Sequence, residues 1–255
     1  MRISLWLAMS GMAVALGGAA ARAAPPVQAQ MLQLFSYELK DKAQFEQGYR
    51  RHLGWHAAHG DKLVWYGWMV DSGGRKGLFV DGTAGASYPA LDARPDPASD
   101  GADAARNFLP FVRAVNVETW ELWTAVSTAT PLEERAPGAL MDVYMMRVSP
   151  GAAGRFEQAL ARLVAQRGAD VPSLTWYRAV RGAGLPAYML VLNRGDWADV
   201  GRAGGTLDAL LARAYAASPD DIQKLLGALA TVEVESWSYQ PRLSLIPGKP
   251  LAPEP

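Results

Sequence analysis

The sequence predicts an α+β protein in which one βαββαβ unit is written twice in tandem, the two copies packing sheet against sheet into a barrel with helices outside. Three internal matches carry that prediction. Ala43-Gln-Phe-Glu-Gln47 returns as Gly154-Arg-Phe-Glu-Gln158 and, at the same offset of 111 residues, Leu63-Val-Trp-Tyr66 returns as Leu174-Thr-Trp-Tyr177. Val117-Glu-Thr-Trp120 returns as Val234-Glu-Ser-Trp237 at an offset of 117. One order with one small insertion defines a first unit over 30–126, a linker over 127–138 and a second unit over 139–242.

Each unit opens on a short run of apolar and aromatic residues, 31–39 and 140–148, closed by Lys40-Asp41-Lys42 and Ser149-Pro150-Gly151, which reads as a strand and a turn. Helices follow. In the first, Phe45, Tyr49, His52, His56 and His59 recur at alternating spacings of four and three, and Phe156, Leu160 and Leu163 continue the same stripe in the second. Gly60 and Gly168 are their natural stops. Hairpins come next: 63–70 with 78–81 around Asp71-Ser-Gly-Gly-Arg75, and 174–180 with 188–193 around Arg181-Gly-Ala-Gly184.

A second helical region then places Ala105, Phe108, Leu109 and Val112 opposite Ile222, Leu225, Leu226 and Leu229, with Ser218-Pro219-Asp220-Asp221 as an N-terminal cap. The last strands are 115–123 and 232–239. Strand, helix, hairpin, helix, strand is the ferredoxin-like order, an antiparallel sheet with both helices on one face. Segment 90–103, with its Pro and Asp residues, reads as an exposed loop, and the Pro-rich tail 243–255 as extended or disordered.

The N-terminus carries one early Arg, an apolar run from Leu5 to Leu16 and a small-x-small ending at Ala21-Arg-Ala23, the pattern of a secretion signal over 1–23. The protein is therefore expected in the periplasm or outside the cell, without membrane insertion. Removing Arg2 and Arg22 from the 25 basic residues leaves 23 against 25 acidic ones, so nothing steers the mature chain towards nucleic acid. With no Cys, neither disulfides nor thiolate chemistry contribute.

Tyr37-Glu-Leu-Lys40 followed by Phe45, and Val148-Ser-Pro-Gly151 followed by Phe156, set a strand, a turn and a helical Phe at one spacing in both halves. In this the chain resembles the dimeric α/β-barrel superfamily, and within it the NIPSNAP-like and antibiotic-biosynthesis-monooxygenase-like branch. The resemblance implies two tandem ferredoxin-like units forming an intrachain dimeric α/β barrel, a pseudo-twofold axis and a monomer. Members include haem-degrading monooxygenases, quinone-forming oxygenases, haem peroxidases and small-molecule sensors, so the fold leaves the activity open. In tandem relatives such as chlorite dismutase the proximal His belongs to the second unit, which here holds neither His nor Cys.

Alternation along the last strands puts Glu118, Trp120 and Leu122 on one face, matched by Glu235, Trp237 and Tyr239. In the first strands the aliphatic set, Leu32 and Leu34 with Val143 and Met145, is expected to meet the helices. The mixed set containing Tyr37 and Tyr144 is expected to face the interior. Tyr37, Trp120, Tyr144, Trp237, Glu118 and Glu235 are therefore the candidate contacts for a small, partly aromatic ligand. The alternative is that the same side chains simply fill a core, which would make the protein a structural or interaction module.

Glu118 and Glu235 also read as an acid/base pair or, being duplicated, as a symmetric structural pair. His52 and His56, at i and i+4, are the two side chains spaced to share a metal. They also continue the stripe of Phe45 and Tyr49, and the reading is no metal and no cofactor, with a haem-dependent or cofactor-free oxygenase as the alternative enzyme class. There is no G-x-S-x-G, P-loop or G-x-G-x-x-G.

Overall fold

A computed structural model of the chain describes residues 30–128, 137–167, 173–203, 206–215 and 218–253. The predicted signal, the middle of the predicted linker, Gly168 and the end of the tail lie outside these residues. The elements run β1 (Met31–Leu39), α1 (Lys42–Ala58), β2 (Tyr66–Val70), β3 (Phe79–Ala86), α2 (Tyr88–Asp92), α3 (Pro97–Asn107) and β4 (Val112–Leu122). They continue with β5 (Leu140–Val148), α4 (Ala153–Ala165), β6 (Thr175–Arg181), β7 (Ala187–Arg194), α5 (Trp197–Ala203), α6 (Leu207–Tyr215), α7 (Pro219–Leu226) and β8 (Leu229–Tyr239). No described helix is long and apolar enough to cross a membrane.

The strands close a barrel in the order β1-β3-β2-β8-β5-β7-β6-β4. Within the first half β1 sits between β3 and β4, and within the second β5 sits between β7 and β8. The halves join through two short antiparallel seams. Trp68–Val70 of β2 pairs with Trp237–Tyr239 of β8, and Thr119–Leu122 of β4 pairs with Tyr177–Arg181 of β6. Because every neighbouring pair is antiparallel, β1 and β5 point the same way, and their C-terminal ends meet the starts of β4 and β8 at one mouth.

Closure produces three cores. Inside the barrel lie Leu32, Leu34, Trp68, Trp120, Val143 and Trp237. Between the first-half strands and helices lie Tyr37, Phe45, Tyr49, Phe79 and Phe108, and the second-half equivalent holds Tyr144, Met146, Phe156, Leu160, Trp176 and Tyr215. The expected faces of β1 and β5 are thus reversed: Leu32, Leu34 and Val143 point inward, whereas Tyr37 and Tyr144 meet the helices. The reason is partner chemistry. Tyr37 packs on Phe45 and edge-on to Phe108 at 5.7 and 5.8 Å between ring centroids. An eight-stranded interior, by contrast, has room for aliphatic side chains and a few indoles.

Three further expectations change. β3 runs to Ala86 rather than ending at 81, because its small residues leave room for the Leu side chains of β1: a Cβ on Gly82 would lie 2.7 Å from Leu34 Cδ2. Segment 90–103 is not a loop but the end of α2 and most of α3. Asp96 caps α3, its side chain accepting from Ser99 N, and Pro97 occupies the first helical position, so a pair that signals a turn here starts a helix. The tail is not free either. Leu243 and Leu245 are each only 3 % exposed, and Leu245 exchanges backbone hydrogen bonds with Trp65 at 2.7 and 2.9 Å.

Candidate functional site

The mouth formed by the ends of β1 and β5 and the starts of β4 and β8 opens into a cavity of about 410 Å³, walled by Ser36, Leu78, Glu118, Trp120, Met145 and Ala187 and flanked by Arg75, Arg147 and Glu233. Below it the interior is packed. The barrel therefore has a packed middle, with this cavity at the end where β1 and β5 finish.

The duplicated Glu-x-Trp segments place the same pair in both halves. In each, strand alternation puts Glu and the Trp two residues on against one face, and the indole N–H donates back to the carboxylate. Trp120 Nε1 reaches Glu118 Oε2 at 3.1 Å, and Trp237 Nε1 reaches Glu235 Oε2 at 2.8 Å. The surroundings of the two pairs differ. Glu235 is fully buried and clamped by Arg75, whose Nε and Nη2 donate to its two oxygens at 2.9 and 2.8 Å. The Arg75 guanidinium also lies 5.5 Å from the centre of the Trp237 ring. Among the described residues Glu118 accepts hydrogen bonds from neutral donors, Trp120 and Asn116 Nδ2, the latter at 3.1 Å.

The hairpin loops cause this asymmetry. Gly73 and Gly182 approach their strands in the same way: an added Cβ would meet Val234 O at 2.8 Å in one and Val117 O at 2.0 Å in the other. Two residues on, the first loop carries Arg75 and the second carries Gly184, against which the Arg147 guanidinium lies. The first loop covers its Glu; the second leaves Glu118 7 % exposed at the cavity, with the fully buried Trp120 behind it in the wall.

Of the residues singled out from sequence, Glu118 and Trp120 line the cavity. Glu235 and Trp237 sit beneath Arg75, with Trp237 against Trp68 at 5.9 Å. Tyr37 and Tyr144 are outside the barrel wall and do not join the site. Arg75, Asn116 and Arg147 were missed; the one legible signal was that Arg75 lies in a hairpin loop whose counterpart, Arg181-Gly-Ala-Gly184, has Gly at the matching place.

The His pair lies elsewhere, between α1 and α3 on the outer face. His52 Nδ1 is 2.8 Å from Asp103 Oδ2, His56 Nδ1 is 2.8 Å from Asp61 Oδ2, and the two Nε2 atoms are 3.2 Å apart. Asp100 Oδ1 is 3.4 Å from one Nε2 and 3.6 Å from the other. Burial holds the His52 imidazole below its ordinary pKa against the opposing pull of Asp103. His59 is exposed and stacks on Trp55 instead. Asp100 and Asp103 were missed because their segment read as a loop.

The cavity wall offers no His, Cys or Tyr, so the residues present do not fit the proximal ligands haem proteins of those types use. No protein-family model matches the chain, and no curated protein does. Solved structures do. A protein named "putative monooxygenase" from Lactobacillus acidophilus aligns over 83 % of this chain and 94 % of its own, with 10 % identity and a TM-score of 0.55. Another of that name from Fusobacterium nucleatum aligns over 83 % and 93 %, with 12 % identity and a TM-score of 0.55. The likeness is one of fold, the dimeric α/β barrel.

Proposed function

We propose that this protein is an exported small-molecule binder that takes a partly aromatic ligand into the mouth of its barrel. The observation that carries the reading is Glu118: a carboxylate 7 % exposed, held by two neutral donors beside an indole, at the wall of a cavity large enough for a small organic molecule. A flat apolar body suits Trp120, Met145 and Leu78, and a hydroxyl or amine at its end suits Glu118. In this reading the chain is a tandem duplication of a ferredoxin-like unit, 30–126 and 139–242, in which one copy kept its pocket open while Arg75 closed the other.

The second reading is a cofactor-free oxygenase-like enzyme acting on the same ligand. It is favoured by Glu118, which is positioned to take a proton from a bound phenol while Glu235, with both oxygens engaged by Arg75, is not. The monooxygenase names belong to the similar proteins and enter only as the reason to test oxygen consumption.

The test is a titration of the mature chain with quinones and flat phenols, read by Trp emission. Binding is expected, and Glu118→Gln is expected to weaken it about tenfold, the size of one lost charge-assisted hydrogen bond. Silence across the series, or a Glu118→Gln variant that binds as well as the parent, would refute the reading. Oxygen uptake with bound ligand, abolished in Glu118→Gln, would replace simple binding by the second reading.

A further inference from the structure

The His pair on α1 carries a feature that a satisfied pair of core histidines does not need. Each imidazole meets a carboxylate at Nδ1, His52 with Asp103 and His56 with Asp61, both at 2.8 Å. A carboxylate only accepts, so each Nδ1 is a protonated nitrogen, and in the neutral imidazole each Nε2 then carries a lone pair. Those two lone pairs then face one another at 3.2 Å, with a third acceptor, Asp100 Oδ1, 3.4 and 3.6 Å away. With both rings neutral, three electron-rich atoms converge on one point, and either a shared proton or a cation must hold them together.

The triangle has the dimensions of a coordination site. An ion about 2.0–2.1 Å from tetrahedral ligands spaces them about 3.3 Å apart; the observed edges are 3.2, 3.4 and 3.6 Å. The surrounding charge points the same way. Asp61, Asp100 and Asp103 surround two imidazoles, and the pair's side chains are 9 % and 5 % exposed, so a divalent cation offsets negative charge that water screens poorly there.

The outer partners are themselves fixed. Asp61 also accepts from Leu63 N and Trp65 Nε1, at 2.9 and 3.0 Å, and Asp103 from Asn107 Nδ2 at 2.9 Å. Carboxylates that orient ligating imidazoles through Nδ1–H are the usual outer shell of a metal site.

We infer that His52 Nε2, His56 Nε2 and Asp100 Oδ1 bind a divalent transition-metal ion of the zinc class, with the fourth position open on the Asp100 side. Two imidazoles and one carboxylate select zinc-class ions over magnesium or calcium, which prefer all-oxygen sites. Asp100 is the most exposed of the three, its side chain 20 % accessible, so water completes the site from the surface. Ligands on both α1 and α3 make the ion a clamp between the two helices, apart from the barrel mouth and independent of the function proposed for it.

The experiment uses the mature chain, stripped with chelator and dialysed with zinc, and reads metal by elemental analysis and stability by thermal unfolding. One zinc per chain is expected, with a melting temperature that rises with zinc concentration. Asp100→Asn, on the surface helix and the least disruptive change, is expected to lose most of the zinc-induced shift while keeping the metal-free melting temperature. His59→Ala, a change to the third His at the C-terminal cap of α1, is expected to keep full stoichiometry. Cobalt(II) in place of zinc is expected to give the intense visible absorption of a tetrahedral centre, absent in His56→Gln. Substoichiometric zinc with no thermal shift in the parent chain would overturn the proposal, as would a shift undiminished in Asp100→Asn or lost in His59→Ala.

Discussion

Asp81 shows how a single buried group sets a pH dependence. It lies between α1 and the sheet, accepting from the hydroxyls of Tyr37 and Tyr49 at 3.2 and 2.5 Å through Oδ2, while Oδ1 is buried without a partner. Burial pushes its pKa up from 3.8 to about 7, and the two hydroxyls only partly oppose this. A carboxyl with a folded pKa above its unfolded one favours the native state fully below the unfolded value. That contribution is lost as pH rises through the folded value. Denaturant midpoints of the chelator-treated chain are therefore expected to fall between about pH 5 and pH 8, and Asp81→Asn is expected to flatten the fall. Arg75 makes the complementary case: Arg75→Met leaves the fully buried Glu235 unpaired and is expected to cost about 3 kcal/mol, most of it restored in the double variant with Glu235→Gln. A double variant as unstable as the single one would show that the cost comes from lost packing over Trp237 instead.

At the level of elements, α3 is held by close approach. Gly48 of α1 faces the end of α3, where an added Cβ would lie 2.0 Å from Asn107 O. Arg51 Nε donates to Asn107 Oδ1 beside it at 3.0 Å. Gly48→Ala must push α3 outward although alanine is the better helix former. It is expected to destabilise the fold and, since α3 carries Asp100, to weaken zinc binding as well. An equally stable or more stable Gly48→Ala would contradict the packing. The tail behaves as a short docked edge rather than a free end. Leu243 and Leu245 fill the core beside Trp65, and Ser244 Oγ accepts from Gly67 N at 2.9 Å. Leu245→Ala is expected to cost roughly 2–5 kcal/mol in chemical denaturation; a cost under about 0.5 kcal/mol would mean that the tail does not dock in solution.

For the whole molecule, the consequence of the topology is self-closure. The β2–β8 and β4–β6 seams are intrachain, so the barrel leaves no sheet edge that a second chain must cover. The chain is accordingly expected to scatter light as a monomer; a mass near twice that of one chain would count against the single-chain barrel as the complete unit. The same closure divides the molecule by role. The interior gives a packed middle and the mouth lined by Glu118, while the helix layer outside holds the His and Asp cluster. Changes in one are expected to leave the other's readout intact.

Sequence alone determined the order of elements, the bounds of β1 and β5 and the faces shared by Glu118 with Trp120 and Glu235 with Trp237, because these follow from local periodicity and recurring segments. Tertiary structure decided the rest. Alternation defines two faces of a strand but not which one lies inside, and aromatic partners on the helices drew Tyr37 and Tyr144 outward. Nor does a recurring segment say whether both occurrences work alike: the environment of Glu235 depends on Arg75, 160 residues away in sequence, and that of Glu118 on the loop holding Gly182 and Gly184. His52 and His56 were legible as a pair at one helical turn. What makes them a site is Asp100 on a helix that reads as a loop, since the cap and first-turn Pro of α3 use the same residues as a turn, and only packing against α1 resolves the two.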